Sequence, residues 1–418
     1  MFEYVDMDFS EPEGQTDSWP YIPDAGECLR CGMCVSSCPT FRLFQIDEET
    51  PRRRIRTISK ILVEKLPVSD EEHLHLDNCL QCRACEMVCP SKMAYGQLFD
   101  DAQAQISNKP IWLAKLAFWL IEKKQWRSRV MPLLVAYLKS GLQKPLRLSG
   151  LLKKLRLSDA EALIRTPTLN SLAAFYPSAI TKRGRVALFT GCIAEHFDRE
   201  TLLAAIKLLN AIGFDVLVPP QQGCCGAIHQ HNGQSAKDLI NKNINTLNAL
   251  DVDAVLYTAS GCGAMLSEYD RNDNEAGKLF SGRLSDINDF LLKHWPDDLQ
   301  LKAFNLKVAV HEPCSQRNVL KNQHTVYELL RKIPMISIEA LADNNICCGS
   351  GGSYMLTHPE NAAQLKTLKQ QTIIATHVDV VVSSNFGCAL FLADENIKVE
   401  HPLLLLSRQL KKQSNPGS

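Results

Sequence analysis

Two short cysteine runs constrain this chain more than anything else in it. CLRCGMCVSSCP (28–39) and CLQCRACEMVCP (79–90) share the spacing C-x2-C-x2-C-x3-C-P. Three thiolates on one tight loop converge on three corners of an iron–sulfur cubane. The fourth, displaced along the chain and followed by Pro, points elsewhere, and in two-cluster ferredoxins it ligates the other cluster. The spacing therefore predicts two [4Fe–4S] clusters with crossed ligation: Cys28, Cys31, Cys34 and Cys89 around one, Cys79, Cys82, Cys85 and Cys38 around the other. Zinc is the competing metal, but a pair of four-cysteine runs, each ending in Pro, argues for iron. Gly32 and Ala84 suit a loop whose backbone must approach sulfide closely and donate N–H bonds to it. Arg52, Arg53 and Arg54 either offset the charge of a thiolate-ligated cluster or form a solvated basic face.

The remaining sequence divides by composition. Residues 1–27 are acidic and rich in Pro and Gly, and read as a mobile arm or a strip lying on another surface. They hold no apolar stretch flanked by basic residues, which argues against a secretory signal or presequence and for a protein that stays in the cytoplasm. Sixteen cysteines in a reducing compartment point to metal ligation or redox chemistry rather than disulfides. Between the runs, PRRRIRTISKILVEKL (51–66) has helical apolar spacing, so the two cluster loops are joined by helix. Lys plus Arg equals Asp plus Glu at 46 each, which gives no support for nucleic-acid binding.

From about 105 to 157 the chain is helical and basic, with Lys123, Lys124, Arg127, Arg129, Lys139, Lys144, Arg147, Lys153, Lys154 and Arg156 against the single acid Glu122. Its apolar run, Ile111 to Ile121, is broken by Lys115 and falls far short of the roughly 20 residues a spanning helix needs. Such a segment, with Trp112, Trp119 and Trp126, either lies on an anionic bilayer surface, docks a partner, or is a solvated bundle face. A linker near 165–184 follows.

Beyond it, RVALFT (185–190), AVLYTA (254–259), KVAVHE (307–312) and VDVVVSS (378–384) read as buried parallel strands, with TLLAAIKLLNAIG and TVYELLRKI as helices between them. Cys192, the pair Cys224 and Cys225, and Cys262 recur as Cys314, the pair Cys347 and Cys348, and Cys388. Two copies of one α/β unit explain this. The lone cysteines fall at carboxyl ends of strands, where open α/β sheets place their sites. Burial as a small hydrophobe accounts for any one of these eight, less readily for two parallel sets of four. His229, His231 and His311 lie beside these loops, as proton-transfer or metal-binding candidates or as plain hydrogen-bonding residues. The chain thus reads as α+β multidomain: 1–105 a helical ferredoxin domain with two 4Fe–4S clusters, 106–184 the basic helical segment and linker, and 185–304 and 305–418 the first and second CCG domains.

Two ferredoxin runs followed by two CCG repeats resemble the iron–sulfur subunit of bacterial glycolate oxidase. GCCGA followed by a His, TASGCGAMLSEY and CCGSGGSYMLTHPENAAQL carry the resemblance most specifically. The chain is also similar to the small iron–sulfur subunit of anaerobic glycerol-3-phosphate dehydrogenase, to lactate-utilisation proteins and to heterodisulfide reductase. The resemblance implies an electron-transfer subunit of an oxidoreductase complex, a 2-hydroxy-acid dehydrogenase with a non-NAD acceptor. FAD-binding partner subunits would oxidise glycolate to glyoxylate, with a quinone or other membrane acceptor downstream and peripheral contact at the inner face of the cytoplasmic membrane. Alternatives are the equivalent subunit for lactate or glycerol 3-phosphate, a heterodisulfide or thiol reductase acting at the CCG loops, and a non-catalytic assembly scaffold. Heterodisulfide-type CCG domains add a cysteine three residues after the third lone one. Here Met265 and Phe391 stand at those positions, so each repeat offers four thiols for a further cluster, metal or redox step. No strand–GxGxxG–helix unit is present, and no catalytic residue is assigned.

Overall fold

The computed structural model describes residues 21–22, 28, 31–106, 112–155, 157–178, 180–271 and 274–411. The acidic arm expected over 1–27 lies, apart from residues 21 and 22, outside them, as does Arg156.

The ferredoxin part is built from short helices, and the sequence explains where each begins. Cys38 is extended (φ −82°, ψ 120°) and Pro39 opens the helix Pro39–Phe44, so the Cys-Pro step turns the fourth thiol away from its own run. Thr50 caps Pro51–Ser59 by accepting from the Arg53 N–H, and the helix runs on through a π-turn, Lys60–Glu64. Ser69 and Glu72 form a capping box at the start of Asp70–Asp77. Ile55, Ile58, Ile61, Leu62, Leu76, Leu98 and Phe99 make the core under the cysteine loops.

The α/β part holds two sheets. In the first, β1 (Phe175–Tyr176), β2 (Gly184–Phe189), β3 (Phe214–Leu217), β4 (Ala254–Tyr257) and β5 (Leu284–Asp286) lie in the order β1-β3-β2-β4-β5, parallel except for β1. In the second, β6 (Leu306–His311), β7 (Ile336–Ala340), β8 (Val380–Ser383) and β9 (Val399–Glu400) lie in the order β7-β6-β8-β9, all parallel. Leaving β1 aside, the two orders are the same, which gives the repeat its structural form.

Alternation along the central strands sends their side chains to opposite faces of each sheet. Val186, Leu188, Leu256, Val308, Val310, Val380 and Val382 face a single core shared by both sheets. The helices Arg199–Ala211, Ile287–His294, His324–Leu330 and Pro402–Gln409 fill it. Ala187, Phe189, Val255 and Tyr257 face the other way, among the thiols of the first repeat. The repeats are further joined by Ser260 N–H donating to Ser384 O at 2.9 Å and by Lys207 Nζ donating to Ser407 O at 2.8 Å.

Asp286 ends β5 and caps Ile287–His294, accepting from the Asn288 N–H at 2.7 Å. Burial, with Asp289 nearby, pushes its carboxyl up from 3.8 to about 7. The folded chain therefore keeps a proton that the unfolded chain loses, and stability drains away as pH rises from the ordinary carboxylate value to about 7. Asp286→Asn keeps the cap and removes the titration. It is expected to raise the melting temperature at about pH 8 and leave it nearly unchanged at about pH 4. Thermal unfolding at both pH values checks this.

The basic segment forms the helices Trp112–Glu122, Lys124–Lys139, Gln143–Leu148 and Leu151–Lys154. Part of its charge is spent inside the molecule. Lys124 and the buried Arg127 pair with Glu195 of the first repeat, and Arg147 pairs with Glu161. Lys139, Lys144, Lys153 and Lys154 stay exposed, beside exposed Leu133, Leu142 and Leu148. The segment is thus docked on one side and open on the other.

Candidate iron–sulfur and thiol sites

The N-terminal thiols gather in two mixed groups. A cavity is lined by Cys38, Cys79, Cys82 and Cys85, with Arg54, Leu80 and Tyr95 closing its walls. The fourth cysteine of the first run thus stands among the first three of the second. Cys28 has Cys89 and Cys31 as its electrostatic thiol neighbours, and Cys34 has Cys28, Cys38 and Cys89. Burial and then Cys28 push the Cys34 thiol up to about 11, and burial lifts Cys79, Cys82 and Cys85 as well. Thiols crowded and buried in this way cannot all ionise without a positive centre among them. A soft, polynuclear cation cluster meets that need, so the donors fit the group the spacing predicts.

The three arginines have separate tasks. Arg54 is 2% exposed; it donates to Glu49 O at 2.8 Å and Thr40 Oγ1 at 2.9 Å, pairs with the Glu49 carboxylate, and lies 3.5 Å from Cys38 Sγ. Arg52 has Cys34 and Cys28 in its field and pairs with Asp47. Arg53 also pairs with Asp47, nearly half exposed. One arginine therefore stands near each thiol group, and the third belongs to the surface. Tyr95 Oη lies 3.5 Å from Cys79 Sγ.

Gly32 takes the left-handed conformation (φ 59°) that a loop this tight requires. In the second run that conformation falls on Gln81 (φ 51°) and Arg83 (φ 57°), and Ala84 opens the helix Ala84–Met87. Ala84 is buried, and its backbone N–H faces the Cys82 thiol. Arg83 is held in place by its pairs with Glu86 and, across the domain boundary, with Glu268.

In the α/β part all eight cysteines collect at the carboxyl ends of the strands, as the sheet rule requires. Cys192 contacts Cys224, which contacts Cys225, which contacts Cys262. In the second repeat Cys314 Sγ is 4.0 Å from Cys347 Sγ, Cys348 contacts both Cys347 and Cys388, and Asn385 Nδ2 donates to Cys388 Sγ at 3.3 Å. A buried amide fixes each CCG loop in the same way. Gln222 spans Thr190 N and Leu188 O, and Asn344 spans Glu312 N and Val310 O.

Of the three histidines, only His311 joins the thiols. A ring nitrogen of His311 and the Sγ atoms of Cys348 and Cys388 lie within 4.8 Å of one another, all buried. His229 Nε2 faces Glu122 Oε1 at 3.1 Å, and His231 faces Asp100, so both serve contacts with the N-terminal half. Sequence reasoning did not single out Asn243, which bonds Gly223 N and Cys224 O, or Lys369, buried beside Cys347 and Cys348. Each lies about twenty residues beyond its CCG pair on a helix that only the fold returns to the loop.

The fold and sites define an iron–sulfur protein in which a dicluster ferredoxin domain precedes two cysteine-rich α/β domains. A family model described as "4Fe-4S dicluster domain" matches residues 24–93, and one described as "Cysteine-rich domain" matches 186–267 and 308–393. The chain is 35% identical over 394 residues to a probable glycolate oxidase iron–sulfur subunit of Bacillus subtilis, covering 88% of each protein. It is 28% identical over 409 residues to the glycolate oxidase iron–sulfur subunit of Escherichia coli, covering 92% of this chain and 94% of that one. Lactate utilization protein A of Bacillus subtilis is 23% identical over 52% of this chain and 96% of its own length. The chain belongs to the family of glycolate oxidase iron–sulfur subunits. It is an iron–sulfur electron-transfer subunit of the oxidoreductase class. Among the described residues, no helix is long and apolar enough to cross a membrane.

Proposed function

We propose that this chain carries electrons within a glycolate oxidase complex. FAD-binding partner subunits oxidise glycolate to glyoxylate, and a quinone or other membrane acceptor receives the electrons. The observation that supports this most directly is the gathering of eight N-terminal thiols into two crossed groups of four, each with one arginine beside it. On this reading Cys28, Cys31, Cys34 and Cys89 hold one [4Fe–4S] cluster and Cys79, Cys82, Cys85 and Cys38 the other, and when bound the clusters supply one-electron steps between a two-electron flavin and the acceptor. Arg54 and Arg52 balance thiolate charge, and Leu80, Tyr95 and Pro51 keep water from the second group.

The four-part division at 105, 184 and 304 belongs to the same reading, with the CCG thiols as a further redox or metal site. The test is co-purification of the tagged chain with mass spectrometry, followed by anaerobic addition of glycolate, lactate or glycerol 3-phosphate. Two FAD-linked oxidase subunits and cluster bleaching by glycolate are the expected result. Bleaching by lactate alone would favour the second reading, a lactate-oxidising complex, which the likeness to lactate utilization protein A supports.

The exposed half of the basic segment suits a cytoplasmic complex lying on the inner face of the membrane. Lys139, Lys144, Lys153 and Lys154 each add about 1 kcal/mol near an anionic surface, an attraction that salt screens. Cosedimentation of the assembled complex with anionic vesicles is expected to fall steeply with ionic strength, and to be lost when these four lysines are changed to Glu. Binding unaffected by both would leave the segment as a partner interface.

A further inference from the structure

The two sets of four CCG thiols look like copies in the sequence, but their surroundings are unequal. Phe189 pairs in register with Tyr257, three residues before Cys192, whereas His311 pairs with Ser383, three residues before Cys314. A phenyl ring and a phenol in the first repeat are thus an imidazole and a hydroxyl in the second. Ser383 Oγ lies 3.0 Å from His311 Nδ1 and orients the ring, one nitrogen of which lies within 4.8 Å of Cys348 Sγ and Cys388 Sγ.

The helix behind each loop differs in the same sense. Gly226 abuts Ala236 and Gly349 abuts Ala362, and seven residues further on stand Asn243 and Lys369. Asn243 makes neutral hydrogen bonds to its loop. Lys369 is 2% exposed, donates to Asp343 O at 2.5 Å, and has Cys348, Cys347, the Asp343 carboxylate and Cys388 in its field. A lysine this deeply buried needs negative partners; the Asp343 carboxylate is one, and an anionic thiolate centre would be a second that Asn243 does not call for.

A third difference is position. Cys82 packs with Cys314 and Cys347 in one cluster around Leu80, and Asn318 Nδ2 donates to Cys82 O at 2.7 Å. The first set instead packs with Ile121 of the basic segment and has Arg127 as a cation near Cys192.

We propose that the second CCG site is a redox-active iron site, held by Cys314, Cys347, Cys348, Cys388 and His311, that exchanges single electrons with the ferredoxin site across the contact at Cys82. The proposal rests on the ferredoxin reading given above. In the exchange, one electron leaves the iron bound by Cys38, Cys79, Cys82 and Cys85, and one ferric iron among the second-site thiolates becomes ferrous. No bond breaks and no proton moves, and the electrons originate in the hydroxy acid oxidised by the partner subunits. Four thiolates would already complete the tetrahedron of zinc and leave His311 without a part.

The test uses the full chain purified anaerobically, with metal analysis and EPR before and after dithionite. The wild type is expected to hold more than the roughly eight irons of two cubanes, with a spectral component additional to theirs. Cys314→Ser/Cys388→Ser should lower iron to about eight and remove that component. Cys192→Ser/Cys262→Ser should retain it. His311→Phe, the residue type the first repeat carries at Phe189, should fold and shift the component without abolishing the cubane signals. Unchanged iron and spectra in the second-site variants, zinc in place of the extra iron, or loss of the component only in the first-site variant would overturn the proposal while the ferredoxin reading stands. A wild type without cubane signals would overturn both.

Discussion

Cys38→Ser is expected to cost the chain the cluster built on the second cysteine run and to spare the one built on its own. Its thiol lines the cavity with Cys79, Cys82 and Cys85, and the Pro39 helix start holds it there. A serine oxygen is a poor ligand for iron in a thiolate cubane, so about four of the irons should be lost. Cys89, a neighbour of Cys28 and Cys34, gives the mirror experiment. Crossed ligation requires Cys38→Ser to have the same reduced EPR spectrum as Cys82→Ser, and Cys89→Ser the same spectrum as Cys31→Ser. The opposite matching would show each run closing its own cluster.

Arg54→Met is expected to be the most damaging change outside the cysteines. Arg54 and Glu49 are 2% and 1% exposed at their side chains, and Glu49 also takes Asn78 Nδ2 and His75 Nδ1 at 2.7 Å each. Removing the guanidinium leaves a buried carboxylate without its cation, a loss of about 3–5 kcal/mol. The Arg54→Met/Glu49→Gln double variant should recover a large share, because it removes both charges together. Urea unfolding followed by the visible absorbance of the clusters measures both. A single-variant loss below about 1 kcal/mol would mean that the pair is solvated in the working protein.

The sequence carries the cysteine spacing, the repeat and the central strands because each is a local pattern. Short apolar runs such as AVLY and VVVS have no polar face to hide, and they appear as β4 and β8 within a residue or two of expectation. The flanking strands were missed for physical reasons. β1, β5 and β9 are two, three and two residues long, β7 is half exposed and β3 is interrupted by Asp215, so none has a continuous apolar run. The ion pairs of Lys124 and Arg127 with Glu195 join residues about seventy positions apart, a separation at which charge patterning carries no signal. The same holds for Cys82 beside Cys347, which two separate motifs gave no reason to bring together. The left-handed backbone at Gln81 and Arg83 in the second loop left no trace in the sequence, because neither residue is a glycine.

The single core beneath the two α/β repeats bears on how their sites came to differ. Val186, Leu188 and the helix Arg199–Ala211 of one repeat pack in the same interior as Val308, Val310 and the helix Pro402–Gln409 of the other. Were that interior the interface of two identical chains, any substitution at a strand end would appear twice, and both thiol sets would change together. Fusion into one chain removes the symmetry constraint. One half can keep Phe189 and Asn243 while the other takes His311 and Lys369, and the shared packing supports both.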